Sequence, residues 1–87
     1  MNAVHELKTD PDCFQASVEG RKPYEVGVDD RGYLVGDHLH LRDTLHTGEE
    51  MRKGRPLVYT GREREMTVRN ILRGPAHGLQ EGWVILS

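Results

Sequence analysis

His38-Leu39-His40-Leu41-Arg42 is the stretch that most limits what this chain can fold into. Its period of two sends Leu39 and Leu41 to one face and His38, His40 and Arg42 to the other, and a slip of one residue would expose both leucines. The segment is therefore a strand with a fixed register and a buried face. Shorter stretches of the same kind surround it. Residues 3 to 8 place His5 and Leu7 opposite Val4, Glu6 and Lys8, and residues 23 to 28 place Tyr24, Val26 and Val28 opposite Glu25 and Gly27. Trp83 to Leu86 is a continuous apolar run of the type expected for a central strand buried on both faces. Only one segment has helical spacing. Asp10-Pro11-Asp12 is a helix start, Cys13, Phe14, Ser17 and Val18 share a face, and Gly20 is the stop. Five or six strands, one short N-terminal helix and no long crossover predict a mostly β (α+β) fold, a small and mostly antiparallel β-barrel.

The connections are readable from their turn residues. Asp29-Asp30-Arg31-Gly32 and Val35-Gly36-Asp37 are tight turns, and Gly74 to Leu79 is a loop. Between Arg64 and Arg73 the apolar residues Met66, Val68, Ile71 and Leu72 fit no single period, which a β-bulge near Asn70 reconciles. Residues 43 to 58 mix charges with Gly48, Gly54 and Pro56 and are expected to form a long mobile loop or a hairpin excursion. Leu39, Leu41, Val68, Trp83 and Ile85 are the expected core. At 87 residues this is a single domain, 1 to 87, with room for one small core.

Cys13 is the only cysteine, and no signal-like apolar segment opens the chain, so a cytoplasmic setting is expected. No stretch approaches the roughly 20 apolar residues that span a bilayer, which argues against a membrane role. Charge is unevenly spread. Residues 1 to 50 carry five basic and eleven acidic side chains, whereas residues 52 to 73 carry seven basic and two acidic. The second segment can meet phosphate, because Lys and Arg neutralise phosphates locally.

Gly20-Arg21-Lys22-Pro23-Tyr24-Glu25-Val26-Gly27 resembles the Gly-x-Lys-x-x-Glu-x-Arg signature of ASCH domains, which belong to the PUA-like superfamily of β-barrels. Gly20, Lys22 and Glu25 match, and Gly27 stands at the position of the final Arg. The resemblance continues through His5-Glu6-Leu7-Lys8, Phe14-Gln15-Ala16, Val35-Gly36-Asp37, Tyr59-Thr60-Gly61-Arg62 and Gly82 to Leu86, and is to the small bacterial and phage branch. It implies a PUA-like barrel with a cleft between barrel and helix where RNA or a modified nucleotide binds. Lys22 suits a phosphate and Glu25 an amine or hydroxyl donor. With the alternating valines turned into the barrel, Glu25 points outward and Tyr24 falls on the core side, or else offers a stacking surface. Arg21 flanks the motif, Arg31 or Arg42 substitutes for the missing Arg, and Arg62, Arg64 and Arg69 extend the basic surface.

Two further functions stay open. One is an enzyme with Lys22 and Glu25 as candidate catalytic residues. It would be either an N4-acetylcytidine amidohydrolase, although Glu25 occupies the place of that group's Thr and Glu65 or Glu81 would have to supply the downstream Glu, or a metal-dependent ribonuclease built on Glu25, Asp37 and Asp43. The other is a protein-docking module of phage origin that uses the 43 to 58 segment and keeps a vestigial cleft. His38 and His40 with His46 or Glu49 are the nearest approach to a metal set, and no zinc-type cysteine pattern accompanies them, so neither metal nor cofactor is expected.

Overall fold

The computed structural model describes residues 2–87. Alternation in the first strand, β1 (Val4–Thr9), turns His5, Leu7 and Thr9 inward and leaves Val4, Glu6 and Lys8 exposed. The next strand of that sheet, β3 (His38–Thr44), lies parallel to β1, with Leu7 opposite Leu41 and Lys8 opposite Arg42. Leu39 and Leu41 are fully buried, as their alternation requires. Antiparallel to β3 runs β4 (Tyr59–Thr67), and a register shift between Arg42 and Thr44 turns both Asp43 and Thr44 into the interior.

Between β1 and β3 the chain forms α1 (Pro11–Val18), which rests Phe14 and Ser17 on β3. Gly20 ends it at a φ of 77°, and the Arg21 amide donates to the Ala16 carbonyl at 2.9 Å. Asp10 occupies the cap position, but its side chain makes no bond to α1. It accepts instead from the Gly48 amide at 2.9 Å, at the start of α2 (Gly48–Arg52). That second helix lies within the 43 to 58 segment expected to be a long loop or a hairpin excursion, and the segment does connect the antiparallel pair β3 and β4. The first two of those residues belong to β3, and Thr47 and Glu50 form a reciprocal capping box that starts α2.

The expected bulge near Asn70 is a crossing from one sheet to the other. β4 stops at Thr67, and Val68, 1% exposed, is held by its amide to the Asp37 carbonyl at 2.8 Å and by its carbonyl to the Gly36 amide at 2.7 Å. The second sheet has the order β2 (Glu25–Val28), β6 (Trp83–Leu86), β5 (Ile71–Arg73), and both of its pairings are antiparallel. β6 is central as expected, yet it is buried on one face only. Val84 and Leu86 enter the core while Trp83 stays 38% exposed, so Trp83 and Ile85 leave the expected core and Phe14, Tyr33, Val84 and Leu86 join Leu39, Leu41 and Val68. The fold is mostly β with α elements, built as two three-stranded sheets. No described helix is long and apolar enough to cross a membrane.

Candidate functional site

The orientation of β2 reverses the expected one. Val26 and Val28 are 46% and 49% exposed and Tyr24 is 40% exposed, so these three side chains face solvent; Glu25 and Gly27 turn inward. They turn toward a pocket of about 150 Å³ between the edge of the first sheet and the inner face of the second. Leu7, Lys8 and Thr9 form one wall; Glu25, Val26, Gly27, Val84 and Leu86 form the other, with Tyr33 completing the lining. No residue of α1 lines this pocket, whereas the expected cleft lies between barrel and helix.

Glu25 is the polar centre of this pocket. Lys22 Nζ donates to its Oε2 at 3.2 Å, and both side chains are largely buried. Its Oε1 is buried with no protein partner, an acceptor that a ligand N–H or pocket solvent must satisfy. Tyr33 is 5% exposed, and burial pushes its phenol up, with Arg31 opposing and the carboxylates of Asp30, Asp29 and Glu25 adding to the rise. The hydroxyl therefore stays protonated, a neutral donor on a residue that shares the pocket lining with Glu25. β1 is an edge strand, and Arg31 Nη1 donates to the Glu6 carbonyl on its free edge. Two residues on, Lys8 presents its amide and carbonyl to the same edge, where the pocket lies. An acceptor carboxylate, a donor phenol and a backbone donor-acceptor pair thus line one space with apolar walls. Such an arrangement suits a flat polar ring.

The other expected ligand residues lie elsewhere. Arg21 pairs with Glu19, and Tyr24 takes the Lys22 ammonium 5.8 Å from its ring centre. Arg31 is bound to Glu6 and lies near Asp30. Arg42 donates to Glu6 at 2.8 Å and stacks 3.5 Å from the Tyr59 ring centre, on the outer face of the first sheet. Arg62 donates to Gln15 at 2.8 Å and covers Phe14, whereas Arg64 and Arg69 are exposed. The basic residues of 52 to 73 thus fall on α2, β4, β5 and the connections between them.

The carboxylates proposed for a metal do not meet. Asp37 and Asp43 are six residues apart along an extended strand, about 20 Å at 3.3 Å per residue. Asp37 is engaged by His5, and Asp43 Oδ2 accepts from Thr60 Oγ1 at 2.8 Å. His40 pairs with Glu63 and His38 Nδ1 lies 3.2 Å from Thr67 Oγ1. Among the described residues no group of three or more His, Cys, Asp or Glu side chains is placed to hold a metal ion.

Of the residues singled out from the sequence, the pocket brings together Glu25 and, through it, Lys22. Lys8, Thr9 and Tyr33 were missed. Tyr33 had one signal, an aromatic directly after the Gly32 turn, and Lys8 acts through its backbone, which no side-chain pattern reveals. No curated protein matches the chain. Residues 4–87 match the family described as a domain of unknown function, DUF3850, and over that length the chain belongs to it.

Proposed function

We propose that this protein binds RNA or a modified nucleotide by taking a base into the pocket between the sheets. The observation that carries this reading is the buried, unpartnered Oε1 of Glu25, set in the wall of a pocket that mixes apolar side chains with the polar groups of Lys8, Thr9 and Tyr33. Leaving a carboxylate oxygen unsatisfied costs about 1 to 3 kcal/mol or more, so a ligand that donates an N–H there gains affinity and selectivity together. Lys22 keeps the carboxylate in place from its other oxygen. The likeness of Gly20, Lys22 and Glu25 to the ASCH signature supports the same site, and the two sheets are then read as halves of a PUA-like barrel. Binding is preferred to hydrolysis because Glu25 stands where the amidohydrolase pattern has its Thr, so the hydroxyl nucleophile of that pattern is missing from its place.

Fluorescence anisotropy with short labelled RNA homopolymers, at about 20 mM salt and upward, tests the reading. Weak binding with a preference for one base is expected, falling with salt by about 0.7 log units per neutralised phosphate for each tenfold rise. Glu25→Ala is expected to abolish the preference and leave the salt slope unchanged. Absence of binding at low salt would sink it. A protein-docking module is then the surviving reading, favoured by Leu45, Leu57 and Val58, which are 55%, 45% and 40% exposed on the segments flanking α2.

A further inference from the structure

A second cleft, of about 390 Å³, meets the first pocket at Lys8 and is lined by Lys8, Asp10, Gly48, Met51 and Arg52. Its cations differ from most others in the molecule. Arg21, Lys22, Arg31, Arg42, Lys53 and Arg73 all sit against carboxylates, and Arg62 is held by Gln15. Lys8 and Arg52 have no carboxylate partner among the described residues, and both line this cleft. The nearby acids are already engaged. Asp10 Oδ1 accepts from the Gly48 amide, Glu49 pairs with Lys53 at 3.3 Å, and Glu50 closes the capping box with Thr47. Two cations face one carboxylate in the wall, a net positive charge beside a pocket suited to a base.

We infer that this second cleft is a phosphate subsite, so that the ligand of the inter-sheet pocket is a nucleotide and not a free nucleoside. The inference rests on the base-binding reading and adds the phosphate to it. The base lies against Glu25 and Tyr33, the sugar crosses the exposed edge of β1 at Lys8, and the phosphate sits between the Lys8 ammonium and the Arg52 guanidinium. Arg offers a phosphate two parallel donors and Lys a mobile point charge, so the pair tolerates some variation in where the phosphate arrives. Met51 gives the cleft an apolar side that sheds water as the phosphate enters. The five-residue length of α2 means that its dipole contributes little, and the side chains supply the charge.

The test is calorimetric titration of the whole chain, at about 20 mM salt, with the four ribonucleosides, their 5′- and 3′-monophosphates, and short RNA trinucleotides. At least one monophosphate is expected to bind tenfold or more tightly than its nucleoside. Arg52→Gln is expected to erase most of that difference and leave nucleoside affinity unchanged; its melting temperature serves as the folding control. A trinucleotide that binds more tightly than the monophosphate assigns the phosphate to an RNA strand, and equal binding assigns a free nucleotide. Equal affinity for nucleoside and monophosphate overturns the phosphate subsite and leaves the base pocket standing. A tenfold preference that persists in Arg52→Gln also overturns it. Absence of binding by every probe overturns the base pocket and the subsite together.

Discussion

His5 Nε2 lies 2.9 Å from Asp37 Oδ2, joining the first strand to the turn that precedes β3. The same carboxylate accepts from the Ala3 amide at 3.1 Å and the Leu34 amide at 3.0 Å, so it gathers three donors from two segments. The His5 hydrogen bond, followed by those of Ala3 and Leu34, holds the Asp37 carboxyl below the ordinary value of 3.8. A carboxyl depressed in the folded state contributes stability that is fully present above its unfolded value and is lost as pH falls through the folded one. The melting temperature is therefore expected to hold down to about pH 4 and then to fall. Asp37→Asn should melt lower at pH 7 and show a flatter acid limb. Thermal melts from pH 2 to 7 check this, and an acid limb of unchanged steepness in the variant would assign the acid sensitivity to other carboxylates.

Burial separates two large side chains that the sequence alone ranks together. Leu41 is fully buried and packs in the cluster of Phe14, Tyr33, Leu39, Val68, Val84 and Leu86, whereas Trp83 is 38% exposed on the outer face of β6. Leu41→Ala is expected to cost about 2 to 5 kcal/mol, a large part of the stability available to a domain of this size. Trp83→Ala is expected to cost less, on the order of 1 to 2 kcal/mol, because much of the indole already meets water. Urea denaturation of both variants decides it. A Trp83 variant that is the less stable of the two would move the second sheet's outer face into the core.

Strand positions were legible wherever apolar and polar residues alternate, because a period of two survives any tertiary arrangement. Which face turns inward was not. In β2 the apolar face of Val26 and Val28 was the expected core face, yet Glu25, paired with Lys22, turns inward while the valines remain outside. β3 posed no such ambiguity, since its outer residues are all polar. α2 was missed although Thr47-Gly48-Glu49-Glu50 carries the capping signal; with only Met51 as a large apolar residue it shows no hydrophobic period. Asp10 shows a further limit. A capping residue next to one helix in sequence serves another helix 38 residues away, and no local pattern distinguishes the two.

Gly27 lines the pocket beside Glu25, on the inward face of β2, and its backbone does not require a positive φ. A Cβ built there meets no atom within 4 Å. The strand therefore accepts a side chain at this position, and that side chain would occupy the space assigned to the base. Gly27→Ala is expected to leave stability unchanged or slightly improved, since glycine in a strand interior carries an entropic penalty of about 0.5 to 1 kcal/mol relative to alanine. Gly27→Leu should fill the pocket. It is expected to melt within a few degrees of the parent, to lose at least tenfold in affinity for the preferred RNA homopolymer, and to lose the base preference, with the salt slope unaltered. Anisotropy titrations and thermal melts on the same preparations separate the outcomes. A leucine variant that melts normally and binds normally would place the ligand elsewhere, and one that fails to fold while the alanine variant folds would show the pocket too tight at Gly27 to admit a base.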